Sequence, residues 1–143
     1  MKDGLDPPFA LDGSVALVWA FEDESDPYAD DVLGAMADHR AIVPPLWIWE
    51  IANVLAIQAR RGRIADSSVR EFVEQLDEFD IEVALSRSIE EIEAIYDLAR
   101  AHRLTAYDAE YLYLAIENGV PIATNDRELL AAMARAGIAR FVP

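Results

Sequence analysis

Four acidic side chains stand where a solvated surface would not put them: Asp12, Glu50, Asp108 and Asp126. Asp12 closes the apolar run Phe9-Ala10-Leu11 and is followed by Gly13-Ser14 and a second apolar segment, Val15 to Phe21. Glu50 and Asn53 are the only polar residues between Leu46 and Ile57. Asp108 has Tyr111, Leu112 and Ala115 three, four and seven residues on, so at helical spacing it heads an apolar stripe. Asp126 comes just after the apolar stretch Pro121 to Thr124. A buried carboxylate without a partner costs roughly several kcal/mol and is normally neutralised or paired. Four carboxylates at one place stay ionised only beside positive charge, and oxygen-only ligation selects Mg²⁺ or Mn²⁺. Such an ion lowers the pKa of bound water, polarises a phosphoryl oxygen and supports a leaving oxygen. The reaction class this fits is phosphodiester hydrolysis with no covalent enzyme intermediate. Ser14 is the hydroxyl nearest Asp12 in sequence; with no histidine base at hand it suits a supporting hydrogen bond.

Each acid also has a plainer use. Asp12 can cap a helix together with Ser14, Asp108 can be the acidic third residue of a capping box begun by Thr105, and Asp126 can be an N-cap. Glu50 can belong to a buried ion pair, with Arg87 the first suspect. Trp47 and Trp49 suit core or interface packing better than a base-stacking platform, and His39 and His102, near the ends of expected helices, suit dipole and surface roles. Absences narrow the chemistry. Lys2 is the sole lysine and no G-x-x-x-x-G-K-[ST] occurs, which removes the P-loop, Schiff-base chemistry and a receiver-like phospho-switch. There is no G-x-S-x-G, and zero cysteines remove thiolate zinc sites and cysteine nucleophiles.

The elements that must position these residues alternate between strand and helix. Strand candidates are 9–12, 41–43, 81–85, 121–124 and a closing segment 138–142. Helices are expected from Val15 to Phe21, from the acidic connection 22–31 to about His39, and from Leu46 to about Arg61 behind Pro44-Pro45. Because Leu46 to Ala59 is apolar nearly all round, that helix is expected to be buried. Further helices run from the Asp66-Ser67 cap to about Glu78, from Ser88 to His102, from about Ala106 to Glu117 before the Asn118-Gly119 stop, and from Arg127 to Ala136. Strands separated by helices predict an α/β fold with a parallel sheet of four to five short strands and right-handed crossovers. In such sheets ligands bind beyond the carboxyl ends of the strands, where Asp12 and Asp126 fall.

At 143 residues the chain suits one domain, 9–143, behind a flexible lead-in at 1–8 that carries a Pro-Pro stop. It has no run of 18 or more apolar residues and the start lacks a signal-peptide pattern, so a cytoplasmic location and no membrane contact are expected. The net charge of −15 argues against sequence-independent grip on duplex DNA through phosphates. The 11 arginines are scattered, with one cluster at Arg60, Arg61 and Arg63. A divalent cation or a basic partner suits this balance better.

These residues resemble a known family, the PIN-domain ribonucleases, and within it the VapC-type toxins of toxin–antitoxin pairs. The matching pieces are FALDGSVALVWAF around Asp12, PPLWIWEIANVL around Glu50, LTAYDAEYLYLAIENGVPIATND around Asp108 and Asp126, and the tail LLAAMARAGI. The similarity runs from about Phe9 to Val142, and Gly13 stands where an Ala or Thr is more usual. The resemblance implies a three-layer α/β/α sandwich and Mg²⁺- or Mn²⁺-dependent cleavage of single-stranded or structured RNA, tRNA among the candidates. It implies Asp12, Glu50, Asp108 and Asp126 as catalytic and metal-binding residues, with Ser14 and Thr124 in support. It also implies a homodimer and an antitoxin partner with a basic segment. The alternative from a different class is a catalytically silent PIN-fold module that only binds protein or RNA.

Overall fold

The computed structural model describes residues 5–85 and 88–143. Four parallel strands form its sheet: β1 (Asp6–Leu11), β2 (His39–Val43), β3 (Ile81–Val83) and β4 (Ile122–Ala123), in the order β3-β2-β1-β4. Seven helices complete the described chain: α1 (Gly13–Val18), α2 (Pro27–Ala35), α3 (Leu46–Arg60), α4 (Asp66–Glu78), α5 (Glu90–His102), α6 (Ala106–Asn118) and α7 (Arg127–Ala136). Helices flank the sheet, as the α/β/α expectation requires.

The core forms where apolar runs meet. Phe9, Ala10 and Leu11 of β1, Ala41 and Val43 of β2, and Ile122 and Ala123 of β4 are wholly buried. They are continuous rather than alternating, as strands covered on both faces must be. Helix α6 packs on β1 and β4 and buries Ala109, Tyr111, Leu112, Leu114 and Ala115, and α5 packs along α6. Gly119, at φ 63°, ends α6 in the left-handed conformation that glycine adopts without a Cβ clash.

Several boundaries depart from the sequence expectations. Asp6 to Pro8, assigned to the lead-in, belong to β1: Asp6 N donates to Asp38 O, and His39 faces Asp6 across the ladder. His39 accordingly opens β2 rather than ending a helix; its Nδ1 lies 2.7 Å from Pro7 O and its Nε2 3.6 Å from Asp6. The closing strand expected at 138–142 reduces to one parallel bridge, Ile122 to Arg140, because β4 is only two residues long. Strand β3 stops at Val83, and Leu85 is 85% exposed. Asp66 and Ser88 are not caps: Ala65 and Ile89 occupy those positions, without side-chain cap bonds.

Helix α3 is the largest correction. Only Trp47, Ile51 and Leu55, one residue per turn along a single face, are buried. Ile48 and Trp49 are exposed, Trp49 at 73%. An apolar helix reaches full burial only when covered on every side, and this single chain covers one.

Candidate active site

The register of the sheet brings the first two acids together. Ala10 pairs with Ile122 and Leu11 with Ala123, so both strands end at the same level and the next residues, Asp12 and Thr124, meet. Asp12 N donates to Ala123 O at 3.0 Å, continuing the ladder for one more bond. Asp12, 7% exposed, accepts three hydrogen bonds through its side chain. Its Oδ2 accepts from Ser14 Oγ at 2.8 Å and from Thr124 Oγ1 at 2.7 Å, and its Oδ1 accepts from Ser14 N at 3.3 Å. The same carboxylate is thus the N-cap of α1 and the centre of a hydroxyl cradle.

Thr124 passes the order on. It is completely buried, and its Oγ1, while donating to Asp12, accepts from Asp126 N at 3.0 Å. Asp126 caps α7, its Oδ1 accepting from Leu129 N at 2.9 Å. Two plainer roles expected from the sequence therefore hold: Asp12 and Asp126 are caps. The capping bonds also fix where their carboxylates point.

Glu50 finds an unexpected partner. Tyr111 Oη donates to Glu50 Oε1 at 2.7 Å while accepting from Gly13 N at 3.2 Å. One buried phenol therefore ties α3 to the start of α1 from its seat on α6. A tyrosine with its ring in a core stripe needs a partner for its hydroxyl, and that was the available signal. Arg87, the suspected ion-pair partner of Glu50, lies outside the described residues. Asp108 sits in the first turn of α6, where its N–H donates to Thr105 Oγ1 at 3.2 Å in the expected cap.

Electrostatic repulsion links the acids. Burial pushes the Glu50 carboxyl above its ordinary range; Asp12, Asp108 and Glu110 push the same way, and the Tyr111 hydrogen bond opposes them. Burial also raises Asp108, with Asp126, Asp12 and Glu128 adding to it. The phenol of Tyr111 is raised strongly, first by burial and then by Glu50 and Asp12, so it remains a neutral donor. Asp12 and Asp108 thus act on Glu50, and Asp126 and Asp12 on Asp108. Among the described residues, however, no three acidic or histidine side chains converge closely enough to clasp a single ion. The donor set is hard oxygen throughout, with two members raised by burial and by neighbouring acids. It suits Mg²⁺ or Mn²⁺, which keep several waters and take one or two carboxylates directly.

The aromatic pair on α3 divides. Trp47 is in the core at 4% exposure, whereas Trp49 lines an open cleft of about 640 Å³ with Leu46, Glu50, Ala52, Asn53 and Tyr107. His102 is half-buried at the end of α5.

The PIN domain family profile matches residues 10–136 of the chain. Over 81 residues the chain is 35% identical to a protein named ribonuclease VapC3 from Pyrobaculum aerophilum, covering 57% of this chain and 62% of that protein. Over 88 residues it is 34% identical to one named exonuclease VapC9 from the same organism, covering 60% of this chain and 62% of that protein. The match thus spans about 62% of the length of each curated relative. The fold is similar to the crystal structure of PAE2754 from Pyrobaculum aerophilum, with a TM-score of 0.65 and 26% identity over 92% of this chain and 83% of that one. With that profile covering both strand ends and all four acids, the chain belongs to the PIN domain family.

Proposed function

We propose that this protein is a metal-dependent endoribonuclease, the toxin of a toxin–antitoxin pair, which hydrolyses RNA phosphodiester bonds at Asp12, Glu50, Asp108 and Asp126. The observation that carries this reading is the placement of Asp12 and Asp126 just beyond the adjoining ends of β1 and β4, with Glu50 tied through Tyr111 to Gly13 beside Asp12, and Asp108 repelled by Asp126 and Asp12. The similarity to proteins named ribonuclease and exonuclease supports the reaction class.

Asp12, Asp108, Glu50 and Asp126 would hold Mg²⁺ or Mn²⁺, and a bound ion would activate water and polarise the scissile phosphate. The chain's own residues do the rest. Thr124, Ser14 and the backbone at Ala123 keep the Asp12 carboxylate in one orientation, so no reorganisation is needed when charge develops. Tyr111 does the same for Glu50. Burial and neighbouring acids raise Glu50 and Asp108 when no cation is bound, and a bound ion would favour their ionised, proton-accepting forms. In the reaction the water oxygen bonds to phosphorus, the phosphorus bond to the ribose oxygen breaks, and that oxygen leaves with a proton.

The partners belong to the same proposal. With a net charge of −15, the protein is suited to an antitoxin that presents a basic segment to the acid cluster. A homodimer would cover apolar surface such as Ile48 and Trp49 on α3. A cytoplasmic site of action fits this role, and among the described residues no helix is long and apolar enough to cross a membrane.

That no three of these side chains among the described residues converge on one point favours one competing reading, a PIN module that keeps the carboxylates without cleaving. Antitoxin-free protein incubated with linear and circular RNA, in Mg²⁺, Mn²⁺ or EDTA, separates the two. Cutting of circular RNA, lost with EDTA and in Asp12→Asn and Asp108→Asn, is the expected result. Degradation of linear RNA alone would make the enzyme an exonuclease. Folded protein that cuts neither would sink the nuclease reading.

A further inference from the structure

The turn that delivers Thr124 and Asp126 is held from outside by a residue of the tail. Arg140 Nε donates to Thr124 O at 3.0 Å, and its Nη2 donates to Asn125 Oδ1 at 2.6 Å. The guanidinium lies 3.7 Å over the centroid of the Tyr28 ring, and Tyr28 Oη in turn donates to Phe141 O at 2.6 Å. Asn125 Nδ2 donates to Asp26 Oδ2, and Asp26 Oδ1 caps α2 by accepting from Ala29 N at 3.1 Å. The single bridge from Ile122 to Arg140 fixes the backbone from which this side chain reaches.

These contacts clamp three consecutive residues. On the outer side Arg140 and the cap of α2 hold Thr124 and Asn125; on the inner side Thr124 Oγ1 joins Asp12 to the backbone of Asp126. Strand β4 has only two residues, so its own ladder contributes little order to the turn that follows. A planar guanidinium that makes two directed bonds and stacks on a ring fixes both neighbours at once, which a lysine ammonium cannot do.

We propose that Arg140 is a positioning residue of the acid site: through Thr124 and Asn125 it sets the orientation of Asp126 and of the hydroxyl that holds Asp12. The inference rests on the nuclease reading for its catalytic consequence but not for its structural one, and the test separates the two. In Arg140→Ala, amide exchange at Asp126 and Leu129 rises by about tenfold or more, while Ala10 and Ala41 in the sheet keep their protection. Mn²⁺ binding, followed by titration calorimetry, weakens several-fold. In the cleavage assay kcat falls by about 10- to 100-fold with KM within about twofold, as expected when reacting groups are misaligned and substrate affinity is intact. Arg140→Lys keeps the charge but not the fork and stays close to Arg140→Ala; it also carries the exchange measurement if the alanine variant does not fold.

Unchanged exchange at Asp126 and Leu129 would overturn the proposal. So would a defect confined to KM and rescued by lysine, which would make Arg140 a phosphate contact. Wild-type protein that neither cleaves RNA nor binds Mn²⁺ would remove the nuclease reading, while the exchange result would still decide the clamp.

Discussion

Tyr111 shows how much of the site depends on one atom. Its hydroxyl is the neutral donor that opposes the upward shift of Glu50 and the acceptor for the buried N–H of Gly13. Tyr111→Phe keeps the ring in the core and removes both bonds. The Gly13 N–H is then left without an acceptor, which costs about 1–3 kcal/mol and is read as a lower midpoint in urea unfolding. Glu50 loses the contact that favours its ionised form while burial, Asp12 and Asp108 still push it up. The acid limb of the pH–rate profile therefore moves to higher pH; a limb that stays in place or moves down would show that Glu50 ionisation does not limit activity.

At the scale of elements, what places the acids is the ends of strands and the caps of helices. Asp12 caps α1, Thr105 caps α6 beside Asp108, and Asp126 caps α7, so three of the four carboxylates begin or adjoin the start of a helix. The first helix opens with Gly13, whose backbone has no need of glycine's freedom. A methyl group there would meet Trp47 Cδ1 and Tyr111 Oη at 3.6 Å and Ile51 Cδ1 at 3.7 Å, all ordinary contacts. Gly13→Ala is thus expected to raise stability by about 0.4–1 kcal/mol through the unfolded chain, with cleavage unchanged. A loss of stability on thermal unfolding would mean that the Gly13 N–H to Tyr111 bond tolerates no shift.

For the molecule as a whole, the acid cluster is a cost to the fold. A carboxyl whose folded pKa lies above its unfolded value binds protons more readily when folded. Its penalty is therefore present at neutral pH and is relieved as pH falls through the folded pKa. Glu50 and Asp108 are both of this kind, in a chain whose net charge is already −15. Asp108→Asn should abolish cleavage yet raise Tm by a few degrees near pH 7.5, on the order of 1 kcal/mol or less because solvent screens a half-exposed group. That gain should shrink as the pH is lowered through the range in which the wild-type carboxyl takes up its proton. Mn²⁺ should raise the Tm of the wild type more than NaCl of equal ionic strength, and Asp12→Asn should lose most of that difference. Equal effects of the two salts would leave general screening as the only role for cations.

Local pattern alone determined the alternation of strands and helices, the parallel sheet, the capped starts of α6 and α7, and the four acids as the residues to watch. Each is a short-range property, written in the spacing of apolar residues and in Thr105, Asn118, Gly119 and Asp126. Tertiary structure decided what lies beyond that range. The one-sided burial of α3, the shrinking of the closing strand to a single bridge, and the entry of Asp6 to Pro8 into β1 depend on which surfaces meet. So do the tie between Tyr111, Glu50 and Gly13, 98 residues apart at its widest, and the clamp of Arg140 on Thr124 and Asn125. A hydroxyl or a guanidinium carries no mark of its partner in a linear pattern; only the register of β1 against β4 and the packing of α6 bring the partners within hydrogen-bond reach.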